Sequence, residues 1–257
     1  MVTPKKKYGQ HFLRDENTAR KIIGYINHEY PVILEIGPGT GVLSKYLLQD
    51  PRLDPFFLEV DPEAVGHLKS TFPLIADRII SADFLAYDLA GFCPGAEKFT
   101  ILGNFPYNIS SQILFRVLEF RDRVPEVIGM FQKEVALRIA APPGSKTYGI
   151  LSVLLQAFYS IDYLFTVSET VFFPPPKVKS AVIRLRRNDV RNLACDETLF
   201  TRVVKTAFNQ RRKTLRNSLK SLADPEILVR LELSSLRPER LPVEDFVRIT
   251  AAIGQQP

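Results

Sequence analysis

The chain has 257 residues, 46% of them hydrophobic and 24% charged, and 34 Lys and Arg against 28 Asp and Glu give it a net charge of +6. This composition is ordinary for a soluble globular protein with space for one large domain or two smaller ones. No uncharged apolar run approaches the ~18 residues of a membrane span. The basic start, 1–7, is not followed by an apolar segment, so no signal peptide is expected.

The two cysteines, Cys93 and Cys195, lie far apart and belong to no ligand motif. We interpret them as reduced thiols of a cytoplasmic protein, and we predict neither a disulfide nor a metal site.

Apolar, β-rich runs alternate with helical patterns over the first two-thirds of the chain. Predicted strands cover 32–36, 56–60, 78–81, 100–103, 127–131, 163–167 and 181–185. Predicted helices cover 41–48, a segment opened by Pro62, 111–120, 133–140 and 150–158. Such alternation predicts an α/β fold, namely a mostly parallel Rossmann-like sheet with helices on both faces. The last two strands are candidates for an antiparallel pair.

The pattern changes after Arg187. Residues 188–196 are polar and indicate a linker, whereas 197–253 are helical in pattern and interrupted by prolines. We therefore predict an α/β domain over 1–188 and a small all-α C-terminal domain over 196–257.

A glycine turn follows the first predicted strand. Gly37, Gly39 and Gly41 follow Glu35 with the spacing G-x-G-x-G, and the turn opens a helix whose free N–H groups favour an anion. A dehydrogenase would need G-x-G-x-x-G. The observed spacing instead suits a ligand with an amino-acid end and no pyrophosphate, such as S-adenosylmethionine. A plain strand-to-helix turn is the alternative.

Acidic residues end the next two predicted strands. Glu59, followed by Val60, is placed to accept from ribose hydroxyls, and Asp83 from an adenine amino group with Phe84 against the ring. Each acid alone is typical of a solvated strand end. Together with the glycine turn they predict one crevice at the carboxyl ends of parallel strands.

The fourth predicted strand ends in Asn104, Phe105, Pro106 and Tyr107. The amino group of adenine or cytosine is a poor nucleophile because its lone pair is delocalised into the ring. The Asn104 side-chain oxygen and the Phe105 carbonyl, held by Pro106, are acceptors that favour a lone pair pointing at an electrophile. Tyr107 supplies a stacking face for the base. A strand-ending turn is the alternative interpretation.

These motifs, in this order, resemble the ribosomal RNA small-subunit adenine dimethyltransferases, a family related to the macrolide-resistance rRNA methyltransferases. Besides Glu59 and Asp83, the matching segments are 8–13, 35–41, 104–110, 132–135, 143–146, 148–149, 172–178, 180–182 and 207–215.

The resemblance implies dimethylation of two adjacent adenosines near the 3′ end of small-subunit rRNA, with S-adenosylmethionine as cofactor. It further implies a partly assembled small ribosomal subunit as the true substrate. Gln10, His11 and Leu13 would approach the methionine end of the cofactor, and Phe173 would face Tyr107 across a flipped base. The family often has Asn at the position of His11, and it usually has Leu at the position of Phe105. No membrane partner is expected, and nothing indicates more than a monomer.

We hypothesise that the base lone pair attacks the sulfonium methyl directly, with positioning as the main source of acceleration. We expect no histidine near the 104–107 motif, which is consistent with a reaction that needs no strong base.

A basic stretch without acids runs from 198 to 223. Within it, Arg212, Arg216 and Lys220 are spaced i, i+4, i+8, which predicts one shared helical face for the phosphates of a nucleic acid. That this nucleic acid is RNA is implied only by the resemblance. The predicted RNA-binding residues are Arg211, Arg212, Lys213, Arg216 and Lys220. A solvated face without a ligand is the alternative.

Two other functions stay open. The first is the same chemistry on large-subunit rRNA, which the 174–178 and 210–213 segments disfavour. The second is a non-catalytic assembly or transcription factor, which has no need of Gly37, Glu59, Asp83 and Asn104.

Overall fold

The structure is a computed structural model that describes residues 2–93 and 95–255. It contains two compact units. The sheet unit comprises Met1–Ala136 and Ile161–Arg187, and the helical unit comprises Leu137–Ser160 and Asn188–Pro257. Residues 137–160 belong to the helical unit because the helix Ile150–Gln156 contacts the helices Glu197–Asn209 and Val243–Gly254. The domain boundaries predicted from the sequence, 1–188 and 196–257, stay a prediction.

The strands are β1 Phe12–Leu13, β2 Val32–Ile36, β3 Asp54–Glu59, β4 Ile79–Ser81, β5 Thr100–Asn104, β6 Glu126–Gln132, β7 Tyr159–Val167, β8 Phe172–Phe173 and β9 Ser180–Arg187. The helices are α1 Glu16–Ile23, α2 Ser44–Leu47, α3 Pro62–Thr71, α4 Ser110–Glu119, α5 Lys133–Ile139, α6 Ile150–Gln156, α7 Glu197–Asn209, α8 Leu215–Ser218, α9 Pro225–Arg230 and α10 Val243–Gly254. None of the helices in the described part of the chain combines the length and apolar character needed to cross a membrane.

Seven strands form one sheet in the order β4-β3-β2-β5-β6-β9-β7. The pairs among β4, β3, β2, β5 and β6 are parallel, and β9 is antiparallel to β6. This confirms the predicted α/β class with a mostly parallel sheet. β9 and β7 are neighbours, as predicted. A separate two-stranded sheet, β1 with β8, pairs Phe12 with Phe173 and was not predicted.

The central strands are buried along their length, as all five residues of β2 show. Such strands appear in the sequence as continuous apolar runs because helices cover both faces of a parallel sheet. Pro62 opens α3, and the Asp61 side chain caps it by accepting from the Glu63 N–H. In contrast, α2 begins at Ser44 and not at Gly41, because Gly41 has φ +83°, which no helix allows.

The predicted helical face of Arg212, Arg216 and Lys220 is wrong. α7 ends at Asn209, and α8 spans only Leu215–Ser218, so neither Arg212 nor Lys220 is helical. Tertiary contacts explain the break: the N–H groups of Leu215 and Arg216 donate to the carbonyls of Leu236 (2.8 Å) and Ser234 (3.2 Å). Leu215 is buried, so packing overrides the continuous helical pattern.

Candidate active site

A pocket in the sheet unit opens at the carboxyl ends of four neighbouring parallel strands. Its lining comes from the segment 7–12, the turn after β2, the end of β3, the turn after β4 and the segment 104–109. Because parallel strands end at the same edge of a sheet, distant residues converge there. Twelve of the predicted catalytic and cofactor residues line it: Gln10, His11, Gly37, Gly39, Glu59, Val60, Asp83, Phe84, Asn104, Phe105, Pro106 and Tyr107. Their individual roles stay predictions.

The glycine turn leaves space where a ligand would lie. Gly37 and Gly39 have φ of +66° and +57°, values that side chains rarely adopt. A Cβ on Gly37 would meet no atom within 4 Å, whereas one on Gly39 would lie 2.8 Å from the Phe12 ring. The turn is therefore pressed against β1 on one side and open to the pocket at Gly37.

Glu59 is a buried carboxylate whose two oxygens are already oriented. One oxygen accepts from the Gly39 N–H at 3.0 Å and the other from the Asp61 N–H at 2.9 Å. Each oxygen keeps a further lone pair, so the side chain can still accept from two hydroxyls. Burial raises its pKa above the usual range, and the two backbone hydrogen bonds oppose that shift.

Glu35, at the start of the glycine turn, is buried and does not line the pocket. Its carboxyl accepts from the Ser44 hydroxyl at 2.7 Å and is 1% exposed. Burial raises the pKa of Glu35 to about 8, with a smaller contribution in the same direction from Glu59. Glu35 is accordingly protonated at neutral pH, whereas the acidic residues that line the pocket are Glu59 and Asp83.

Asn104 ends β5 with its amide orientation set by the backbone. Its Nδ2 donates to the His11 carbonyl at 2.8 Å, which leaves Oδ1 as the acceptor of the pair. Phe105 is buried beneath, with its ring edge-on to Phe131 at 5.1 Å. Gly103 and Gly129 make space for that ring, since a Cβ on either would lie within 3 Å of it. A Phe at this position is thus matched to its two glycine neighbours.

Tyr107 is held by two residues that are distant in sequence. Its hydroxyl hydrogen-bonds Ser180 at 2.6 Å, and its ring stacks on His11 with centroids 5.4 Å apart. His11 Nδ1–H donates to the Pro174 carbonyl at 2.7 Å. The expectation that no histidine lies near the 104–107 motif is therefore wrong in space. The folded chain brings His11 to Tyr107 through contacts that sequence spacing cannot show.

Other predicted residues lie elsewhere or are already engaged. Gln10 lines the pocket, but its amide accepts from the Lys5 N–H and donates to Asp61. Leu13 packs in the core of the sheet unit and does not line the pocket. Phe173 is 42% exposed, does not line the pocket, and carries the Arg14 guanidinium 4.0 Å from its ring centroid. Asp83 accepts from the Leu85 N–H at 2.9 Å.

Sequence reasoning missed two positioning features. One is Ser180, which is fully buried at the start of β9 and anchors Tyr107. The other is the wall formed by the N-terminal segment, where Lys5 forms an ion pair with Asp61. That pairing, with hydrogen bonds from Gln10 and the Glu63 backbone, lowers the pKa of Asp61 although burial acts in the opposite direction. Of these two features, only Ser180 lies in a segment, 180–182, that the sequence analysis had matched to the family, and that match did not indicate its contact with Tyr107.

The predicted RNA-binding residues all lie in the helical unit. Arg212, Lys213, Arg216 and Lys220 are exposed and have no ion pair in the described part of the chain. Arg211 differs because its guanidinium donates to the Lys146 carbonyl and lies 3.9 Å from Glu239.

The sheet, its glycine turn and the Asn104 pocket define a Rossmann-like methyltransferase. The family model described as "Ribosomal RNA adenine dimethylase" matches residues 1–253. The chain belongs to this family.

Similar proteins agree with that assignment. Ribosomal RNA small subunit methyltransferase A of Flavobacterium johnsoniae is 55% identical over 98% of this chain and 96% of its own length. The protein of that name from Cytophaga hutchinsonii is 54% identical over 97% and 96%. Among solved structures, a dimethyladenosine transferase from Plasmodium falciparum shares the fold, with a TM-score of 0.79 and 22% identity over 93% of this chain and 96% of that one. The 23S rRNA methyltransferase ErmE has a TM-score of 0.69 and 25% identity over 95% and 100%.

Proposed function

We propose that this rRNA adenine dimethyltransferase modifies two adjacent adenosines near the 3′ end of small-subunit rRNA, and does so on a partly assembled small ribosomal subunit. The choice of the small subunit is supported by relatives of that name at 51–55% identity, against 25% for the large-subunit enzyme. We also propose that the chain acts as a monomer in the cytoplasm.

The observation that carries the chemistry is the fixed amide of Asn104. Because Nδ2 is held by the His11 carbonyl, Oδ1 is the atom that can accept from an amino group at the pocket. With the Phe105 carbonyl as second acceptor, it would favour the pyramidal amine whose lone pair is free to react. Because the Asn104 amide is already held by the His11 carbonyl, it would need little reorganisation during the reaction.

S-adenosylmethionine supplies an electrophilic methyl group when bound. The residues present fit its chemistry: Gly37 leaves open space at the turn, and Glu59 has lone pairs for two hydroxyls. Asp83 and Phe84 line the same pocket for an adenine ring. Tyr107 would stack on the target base, with its orientation held by Ser180 and His11.

The decisive experiment measures methyl transfer from labelled S-adenosylmethionine to unmethylated small ribosomal subunits, to naked small-subunit rRNA and to large-subunit rRNA, followed by nucleoside mass analysis. We expect dimethyladenosine with the small subunit. Incorporation only into large-subunit rRNA would contradict the proposed substrate. Tight subunit binding without incorporation would favour a binding factor instead.

A further inference from the structure

We infer a second RNA-contact surface, in the sheet unit, formed by Arg14, Phe173, Lys177 and Lys179; we call it the rim. The inference deepens the proposed function and rests on it for the identity of the RNA, since a basic and aromatic surface alone specifies only a nucleic-acid strand.

The rim is attached to the pocket at three points. Phe173 pairs with the pocket-lining Phe12 through the β1–β8 sheet, and the next residue, Pro174, accepts from His11. At the other end of the loop, Ser180 hydrogen-bonds Tyr107. Residues 174–179 thus leave one pocket wall and return to another, which keeps Lys177 and Lys179 near the pocket.

The rim's cations are available to a ligand. Arg14, Lys177 and Lys179 are exposed, and none of them has an ion pair with any residue that the structure describes. The nearest acid in sequence, Asp15, is engaged as the cap of α1 by accepting from the Thr18 N–H and hydroxyl. Three uncompensated charges on two adjoining segments attract phosphate.

The aromatic residue of the rim, Phe173, is exposed to solvent and is not part of the hydrophobic core. Phe173 is 42% exposed, while its neighbour Phe172 is 3% exposed and packs in the core. The Arg14 guanidinium covers one face of the Phe173 ring at 4.0 Å. An arginine over an aromatic ring beside free lysines is the combination with which proteins hold a single strand, by stacking and by phosphate contact.

These contacts would position the RNA strand next to the adenosine without reading its sequence.

The test compares Lys177→Gln/Lys179→Gln and Arg14→Gln with Lys69→Gln/Lys98→Gln, a control with the same charge change at two exposed lysines of the sheet unit. Affinity for naked small-subunit rRNA is measured by filter binding over a salt series, and methyl transfer is measured separately. We expect the double rim variant to weaken binding five- to tenfold at low salt. The slope of log Kd against log salt should fall by about 1.4, or ~0.7 for each single-strand phosphate contact. Arg14→Gln removes one charge and should lower the slope by ~0.7. On a logarithmic scale, its loss of affinity should be about half that of the double variant.

Binding and catalysis keep the two proposals separate. A wild-type protein that binds rRNA through the rim but methylates nothing would sink the proposed function and support the rim. Rim variants whose affinity and salt slope match the Lys69→Gln/Lys98→Gln control would overturn the rim, whatever the methyl transfer shows.

Discussion

The pocket and the basic stretch of the helical unit are both predicted from sequence, yet only the pocket has the predicted geometry. The pocket residues sit at the ends of parallel strands, and the sheet leaves them one edge at which to meet. The basic residues sit on a turn and a four-residue helix, whose path depends on contacts with 234–236. A position tied to a buried strand is readable from local pattern, whereas a position on a surface turn is not.

The largest effect expected in the pocket is that of Asn104→Ala. Loss of the oriented Oδ1 should lower kcat for methyl transfer about 10²- to 10³-fold, as for other preorganised polar groups that act on the reacting centre. Affinity for S-adenosylmethionine, measured by calorimetry, should change by less than about threefold. Asn17→Ala, an exposed asparagine of α1, is the matched control. Near-normal kcat in Asn104→Ala would remove the amide from the mechanism.

The second effect is a pH dependence located at Glu35. Its folded-state pKa of about 8 lies above the ordinary value of 4.5, so its contribution to stability is complete below pH 4.5 and is lost as pH rises through 8. Between pH 5.5 and 8.5 the free energy of unfolding should fall by about 3 kcal/mol through this group. Urea unfolding of Glu35→Gln should lack that fall. An equal difference between wild type and variant at both pH values would contradict the assignment.

The match between Phe105 and Gly129 gives a third, smaller effect. A Cβ at Gly129 would lie 2.5 Å from both the Phe105 and Phe131 rings, so Gly129→Ala should cost about 1–3 kcal/mol of stability. Phe105→Leu, which restores the residue usual in the family, should relieve part of that strain. The double variant should be about 1 kcal/mol more stable than the sum of the single changes predicts, as measured by urea unfolding. If the stability changes of the two single variants simply added up in the double variant, the Phe105 ring would not restrict the side chain at position 129.

These cases show what the sequence could predict. The strands β2, β3, β5 and β6 were predicted to within two residues at each end because their apolar runs are buried. The α2 start was missed because the positive φ of Gly41 excludes a helix there. β1 and β8 were missed because two-residue strands give no periodicity and their pairing joins residues about 160 apart.

The same limit applies to the candidate site. Strand-end residues such as Glu59 and Asn104 are visible as motifs, and the fold brings them to one pocket. The partners that orient them are not visible: His11 reaches Tyr107, and Ser180 reaches the same ring from another segment. Orientation depends on long-range contacts, and no local pattern encodes those.

His11 tests whether such a partner matters to catalysis. His11→Asn keeps a side-chain donor for the Pro174 carbonyl but removes the ring stacked on Tyr107. We expect KM for the small-subunit substrate to rise about three- to tenfold, which corresponds to the ~0.5–1.5 kcal/mol of an aromatic pair, with kcat little changed. Tyr107→Ala supplies the comparison, since His11→Asn should add little to it. Full additivity of the two changes would mean that His11 acts independently of Tyr107.

The smallest expected effects lie in the helical unit. They distinguish the basic side chains that bind RNA phosphates from the one that stabilises the fold. Arg216→Gln and Lys220→Gln should each raise KM for rRNA about two- to fourfold and lower the slope of log Kd against log salt by about one. Thermal stability should not change, because both side chains are exposed and unpaired within the described chain.

Arg211→Gln should instead affect stability and not RNA binding, because the Arg211 guanidinium donates to the Lys146 carbonyl and lies near Glu239. We expect it to lower Tm by a few degrees with little change in the salt slope. If Arg211→Gln lowered the salt slope as much as Arg216→Gln, the basic stretch would act as one continuous phosphate surface despite its broken helix. Both functional surfaces would then be predictable from sequence: the pocket from the positions of its residues at strand ends, and the basic stretch from its charge alone.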